Sequence, residues 1–551
     1  MRHASTSVLV SLSLVACASA QAPAQTFTVV EATIPELQRA LEAGRVTSRD
    51  LVEAYLLRIA MYEETVNATI AVNPRALVLA DSLDRERSAG RVRGPLHGIP
   101  IALKDNIHTT DLPTTGGALA FDGFVPPYDA TLTRNLRDAG AIILAKTVMT
   151  ELANFIADGM PANYSALGGY GMNPYDPRPD PRAEQGDGRP VMATGGSSSG
   201  IGTAASFWAA NVGTETSGSI LSPSNANMLA GIKPTVGRIS RWGVIPITAD
   251  QDTPGPMART VTDAAILFGV LEGRPDPNDP ATTRCTPPPG NDYTAFLNAN
   301  GLRGARIGIP RATYYEPFQV TGESNRRGGL PPERQEIMRE VIDILRAQGA
   351  TVVDPADIPS VIDPDSARNL FRAGGNSTVL SFGMKRDFNA WLATLGPGAP
   401  VRTLTELRQW NLAHARAGSL KYGQAELDRA DEKSLMGRDL ERYEADRAKD
   451  LYLTAEHGID EVMTALDLDA VLFPAVAGAN LAARPGYPTV AVPFTRVRGT
   501  ADAAYPPGFQ LEPAPMGVSF AGRACAEPRL IEIAFAFEQA TRRRVPPPST
   551  P

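Results

Sequence analysis

From Leu96 onward the chain alternates short apolar runs with stretches of helical spacing, and no other feature constrains the fold as strongly. Pro100–Leu103 and Ala141–Leu144 are apolar throughout, the pattern of a strand buried on both faces. Thr131–Ala139, between them, reads as a helix. The alternation returns with a strand at Ala305–Ile309, a helix at about 333–348 and a strand at Thr351–Val353. It returns again over 470–540, where strands end in a helix at about Pro528–Thr541. This order predicts an α/β fold, a central mixed β-sheet covered by helices on both faces.

The segments around this pattern are helical or irregular. A helix is expected at Pro35–Ala43. Thr47-Ser48-Arg49-Asp50 reads as a capping box for a helix over Leu51–Tyr62, and Arg75–Ala89 reads as a further helix. Residues 173–192 are rich in Pro, Asp and Arg and read as an exposed loop; residues 275–300 are Pro-rich and read as a long surface connection. Residues 400–465 carry many charges at helical spacing and predict long solvent-facing helices, an insertion over one side of the core. There is no internal repeat. The chain of 551 residues reads as one large domain over 29–545, with a variable region at about 275–465 that shapes substrate choice.

The N-terminus reads as an export signal. Arg2 and His3 precede an apolar run, Val8–Ala16, and Ala18-Ser19-Ala20 fits a small-x-small cleavage site, so residues 1–20 form the leader and 21–28 a spacer. Leu14-Val15-Ala16-Cys17 also fits a lipoprotein box, which would put a lipid anchor on Cys17. The expected location is therefore the periplasm, the outer envelope or the medium. No later run is long enough to span a membrane. The other cysteines, Cys285 and Cys525, either pair in that compartment or remain separate thiols.

A net charge of −7 argues against nucleic acid as a partner. Five histidines and no familiar metal-ligand spacing argue against a metal centre. The chemistry falls instead on two glycine-framed serine clusters, Thr194-Gly195-Gly196-Ser197-Ser198-Ser199-Gly200 and Gly213-Thr214-Glu215-Thr216-Ser217-Gly218-Ser219-Ile220. Turns of this kind aim successive amide N–H groups at one point, as an oxyanion hole requires. A serine nucleophile needs a base. Lys104, at the end of an apolar run, serves if burial keeps it neutral.

Gly98–Asn106 resembles the lysine motif of the amidase signature family, and Gly195–Gly200 with Gly213–Pro223 resembles its serine-rich signature. Gly140–Ala153, Asn173–Pro177, Gly231–Pro246, Pro254–Asp263 and Pro515–Ala540 match further segments in the same order. The resemblance runs from about 30 to 545 and is weakest in the middle third. It implies the amidase signature fold and an amidase that needs no cofactor. It also implies roles: Ser219 as nucleophile, Ser197 as proton relay on a cis peptide bond, Lys104 as base, and the amides of Thr216, Ser217, Gly218 and Ser219 as oxyanion hole. A non-proline cis bond costs about 3–4 kcal/mol. Ser197 and Ser219 lie 22 positions apart, fewer than is usual in the family, so Ser198 and Ser199 stay beside Ser197 as relay candidates. Leu221 stands where the family's amidotransferase subunits carry an arginine, which together with the leader argues against a tRNA-dependent role.

Two rival readings remain. Gly196–Gly200 also satisfies G-x-S-x-G, which would make Ser198 the nucleophile of an α/β-hydrolase-type esterase with His414 or His457 as base. Alternatively the chain is a non-catalytic envelope binding protein. The implied substrates are peptide amides, or aryl and fatty amides. Tyr128, Phe155 and Trp242 are candidates for an apolar pocket, with ordinary packing as the alternative.

Overall fold

The structure is a computed structural model describing residue 1 and residues 27–182, 186–498 and 505–551. The leader, Cys17 and most of the spacer lie outside the described residues.

The strands are β1 Thr69–Val72, β2 Pro100–Lys104, β3 Ile142–Thr147, β4 Tyr164–Ser165, β5 Gly169–Tyr170, β6 Ala210–Glu215, β7 Ala230–Lys233, β8 Thr253–Ala258, β9 Arg306–Gly308, β10 Thr351–Val353, β11 Ala470–Pro474, β12 Thr489–Val497 and β13 Ala514–Ala521. Eleven of them form one sheet in the order β1-β3-β2-β6-β8-β7-β12-β13-β11-β9-β10; β4 and β5 pair separately. β2 runs parallel to β3 and β6, and β9 runs parallel to β10 and β11. The remaining pairs of the large sheet are antiparallel, so the sheet is mixed. Every residue of β2, β3, β6, β7, β8 and β11 is buried. Side chains alternate faces along a strand, so unbroken burial means that both faces of the sheet are covered.

The helices before the sheet begin at capping boxes. Thr33 caps Ile34–Glu42 with Glu36 reaching back, and Thr47 caps Ser48–Val66 with Asp50 reaching back. Each box satisfies two amide groups that the first turn leaves unpaired.

Two expectations change. The helical stretch over 400–465 is divided: Leu404–Ala413 and Ala425–Asp431 are short, whereas Arg438–Leu451 runs on through a π-helical stretch, Tyr452–Ile459, kinked at His457 and Gly458, into Asp460–Ala465. Gly418, Gly423 and Gly437, all at positive φ, break the periodic stretch. Many of the charges face solvent, although Asp431, Asp446 and Asp450 are buried, and Leu404, Leu407 and Leu427 pack with Phe388 and Trp391 of the helix Val379–Thr394. They form a second core with Phe121, Phe155 and Ile247. The insertion is thereby seated over the loops that follow β2 and β3. Lastly, 173–192 is held down rather than free: Tyr175 is buried and its hydroxyl donates to the Val545 carbonyl. Arg178 pairs with Asp176 and Arg189 with Asp187.

Cys285 and Cys525 form a disulfide across a sequence separation of 240 residues. It ties the Pro-rich connection to the turn before the last helix, Glu527–Thr541. Cys525→Ser is expected to cost about 2–4 kcal/mol of stability. Thermal unfolding of oxidised protein checks this; an unchanged midpoint would mean the bond constrains nothing.

Candidate active site

Ser197 and Ser219 meet because glycine lets two turns touch. Gly195 has φ +100, and a Cβ there would lie 2.4 Å from the Pro223 backbone. A Cβ on Gly196 would lie 2.9 Å from Ser219 Cα. With both absent, the Ser197 and Ser219 hydroxyls come to 2.6 Å, and the Ser198 amide donates to the Ser219 carbonyl at 3.2 Å. The Gly196–Ser197 bond is not cis, contrary to what the resemblance implied. The cis bond among the described residues is Asp354–Pro355. The left-handed turn at Gly195 brings Ser197 to Ser219 without that rearrangement.

The 22-residue span between the serines holds one four-residue helix, Ile201–Ala204, and β6. A left-handed Ser206 closes the tight turn between them. Ser198 points away from Ser219: its hydroxyl donates to the Thr214 carbonyl at 2.9 Å and accepts from the Thr214 amide at 3.1 Å.

The loop 216–219 is braced from two sides. Glu215, at the end of β6, accepts the Ile220 and Leu221 amides at 2.7 and 2.9 Å. Thr216 donates its hydroxyl to Asp252, which also accepts the Ile247 and Thr248 amides at 2.8 and 2.9 Å. Burial pushes the Asp252 carboxyl up to about 6. Gly218, at φ +89, turns the chain within the loop. Neither Glu215 nor Asp252 was singled out from the sequence as a brace. Glu215 sits inside the serine motif, but nothing local marks Asp252, which acts across the fold.

Lys104 is fully buried at the end of β2, beside β6. Its Nζ donates to Thr214 Oγ1 at 2.8 Å and to the Thr214 carbonyl at 3.2 Å. Burial pulls the amine down to about 7, while the charges of Asp252 and Glu215 act in the opposite direction. Lys104 makes no hydrogen bond to Ser197 here; Thr214 holds its amine. Next to it, Asp105 is paired with buried Lys146 at 3.3 Å.

The two serines open onto a cleft of about 460 Å³ that also includes Thr216, Ser217 and Gly218. Ala153 and Asn154 line one rim; with Leu152 before them they are three consecutive non-glycine residues at positive φ (44°, 58° and 71°). Such strain persists where surrounding structure imposes it, commonly at functional sites. Phe155 lines this cleft. Tyr128 and Trp242 do not: they stack on each other at 5.3 Å beside a separate 210 Å³ hollow that includes Trp391. Leu221 is buried beneath the loop. A larger hollow of about 940 Å³ between the helix Thr131–Asp138 and Tyr293 contains none of the expected site residues.

The histidine-based rival finds no support in this geometry. His457 is held between Asp363 and Glu461 at 2.8 and 2.7 Å. His414 is exposed and stacks on Trp410. Neither bonds Ser198, whose hydroxyl is committed to Thr214. Among the described residues no cluster of His, Cys, Asp or Glu is placed to hold a metal, and no helix is long and apolar enough to cross a membrane.

Comparison with known proteins places the chain in a family. The amidase family model matches residues 50–531. A probable amidase of Arabidopsis thaliana is 36% identical over 532 residues, covering 95% of this chain and 92% of that protein. The native peptide amidase of Stenotrophomonas maltophilia superposes with a TM-score of 0.79 at 36% identity, covering 94% of this chain and 98% of that one. An amidase family protein of Bacillus anthracis gives 0.78 at 31% identity, covering 94% and 92%. The chain therefore belongs to the amidase family and is a hydrolase of amide C–N bonds.

Proposed function

We propose that Ser219 is the acylated nucleophile, Ser197 its proton relay and Lys104 the base. The observation that carries this reading is the 2.6 Å contact between the two serine hydroxyls at the floor of the cleft. Ser219 Oγ attacks the amide carbonyl and passes its proton to Ser197, whose own proton goes to neutral Lys104. The amides of Thr216 to Ser219 stabilise the oxyanion. The proton returns through Ser197 to the departing nitrogen as the C–N bond breaks. Water then attacks the acyl-enzyme by the same route and releases the acid. The relay needs Lys104 Nζ to exchange one of its Thr214 bonds for Ser197 Oγ. No step calls for a metal or cofactor.

The substrates are carboxamides of small molecules or peptides, with peptide amides the first choice and aryl and fatty amides next. The apolar leader run and the Cys285–Cys525 disulfide support an exported enzyme, since such bonds persist in oxidising compartments. Protein recovered from the cell envelope or medium should begin near Gln21, or at a lipid-bearing Cys17. An intact leader on cytoplasmic protein would remove the export reading.

The test is labelling with a fluorophosphonate probe followed by peptide mapping. A single adduct on Ser219 is expected. An adduct on Ser198 would transfer the case to the elbow-type esterase, and a folded protein that takes no label would make a binding role the better reading.

A further inference from the structure

Among the described residues, the cleft in front of Ser219 is lined without a single charged side chain. Its walls converge from four distant segments. Phe155 and Met160 come from the loop after β3, Ile247 from the turn before β8, Leu380 from the helix Val379–Thr394 and Val476 from the turn after β11. Phe155, Met160 and Ile247 are buried and Leu380 is half-buried, so this wall offers an apolar surface to a bound group. The polar side chains at the edge are neutral: Asn154, Asn480 and Thr150. Asn480 donates to Ser217 Oγ at 3.1 Å, which ties one edge to the nucleophile loop. A volume of about 460 Å³ falls within the range of about 300–1,000 Å³ usual for small-molecule sites.

We infer that this cleft selects the acyl part of the substrate by neutrality, accepting carboxamides of uncharged, apolar acyl groups and rejecting those that carry a carboxylate or an ammonium beside the scissile amide. The inference rests on Ser219 being the acylated residue. A carboxylate brought against Phe155, Met160, Ile247 and Leu380 loses its hydration and gains no cation in exchange, because no lysine or arginine lines the cleft. An ammonium group fares no better, since no acidic side chain lines it either. The oxyanion amides do not repair this, because the reacting carbonyl occupies them. An apolar side chain in the same place releases water from both surfaces.

Two substrates of one skeleton test it: N-acetyl-glutamic acid α-amide and its γ-methyl ester, compared by ammonia release at pH 8. The neutral ester is expected to have a kcat/KM about 100-fold or more above that of the free acid. Rates within about threefold of each other would overturn the inference. Leu380→Arg places a cation at the wall and is expected to narrow the ratio at least tenfold, about the value of a single new charge pair. An unchanged ratio in a folded variant would count against the wall as the selector. If neither compound releases ammonia and Ser219 takes no fluorophosphonate label, the acyl-transfer site itself is wrong and this inference falls with it. Labelling of Ser219 with equal turnover of both compounds would sink the inference alone.

Discussion

Ser219→Ala is expected to lower kcat for amide hydrolysis by about 10⁴-fold or more while leaving the unfolding midpoint near that of the parent. Ser219 is half-buried, and its side-chain hydrogen bond runs to Ser197, so its removal opens no core cavity. Ser197→Ala should fall nearly as far, because the relay and the nucleophile act as one unit. The double variant should then be no worse than Ser219→Ala alone, the non-additivity that marks groups acting together. Single-turnover assays with a chromogenic amide separate this from a binding defect: KM should change little. A Ser197→Ala enzyme retaining a tenth of the parent rate would show that Lys104 reaches Ser219 by another path.

The second large effect concerns Lys104, which must be neutral to accept a proton. Burial pulls its amine down to about 7. Below that pH the amine is protonated and the enzyme idles; above it the base is free. kcat/KM should therefore rise with pH along a limb centred near 7 and level off on the alkaline side. Lys104→Ala should lose about 10³-fold or more of the activity at pH 8. The loss has a chemical origin, since the neighbouring Thr214 hydroxyl keeps Asn106 as a partner at 3.0 Å. A rate maximum near pH 4, or a Lys104→Ala enzyme with most of its activity, would remove lysine from the mechanism.

Strands and the first helices are legible in the sequence where one short segment holds all the information. β2 and β3 announce themselves because burial on both faces demands apolar residues at consecutive positions, and Thr47 because a cap acts within four residues of itself. The serine motifs are legible for a similar reason, as glycine is required wherever backbone must pass backbone at under about 3 Å from a would-be Cβ, as at Gly195 and Gly196. The long helices expected over 400–465 are met only by the run 438–465; before it, periodicity registers which face is buried, and three glycines at positive φ divide the stretch without disturbing that periodicity. Tyr128 and Trp242 fail as cleft residues because an aromatic side chain is equally suited to a substrate wall and to a stack.

By itself, then, the sequence determined the α/β class, the buried strands β2 and β3, the two turns that carry Ser197 and Ser219, and the buried position of Lys104. All of these follow from short-range rules of burial and backbone geometry. Only the tertiary structure decided that Ser197 rather than Ser198 faces Ser219, that Asp252 braces the nucleophile loop, that Thr214 holds the lysine, and that Leu380 and Val476 join Phe155 in one uncharged cleft. Those contacts join residues that lie far apart along the chain or turn on the direction of a single side chain, and no local pattern encodes the distance between them.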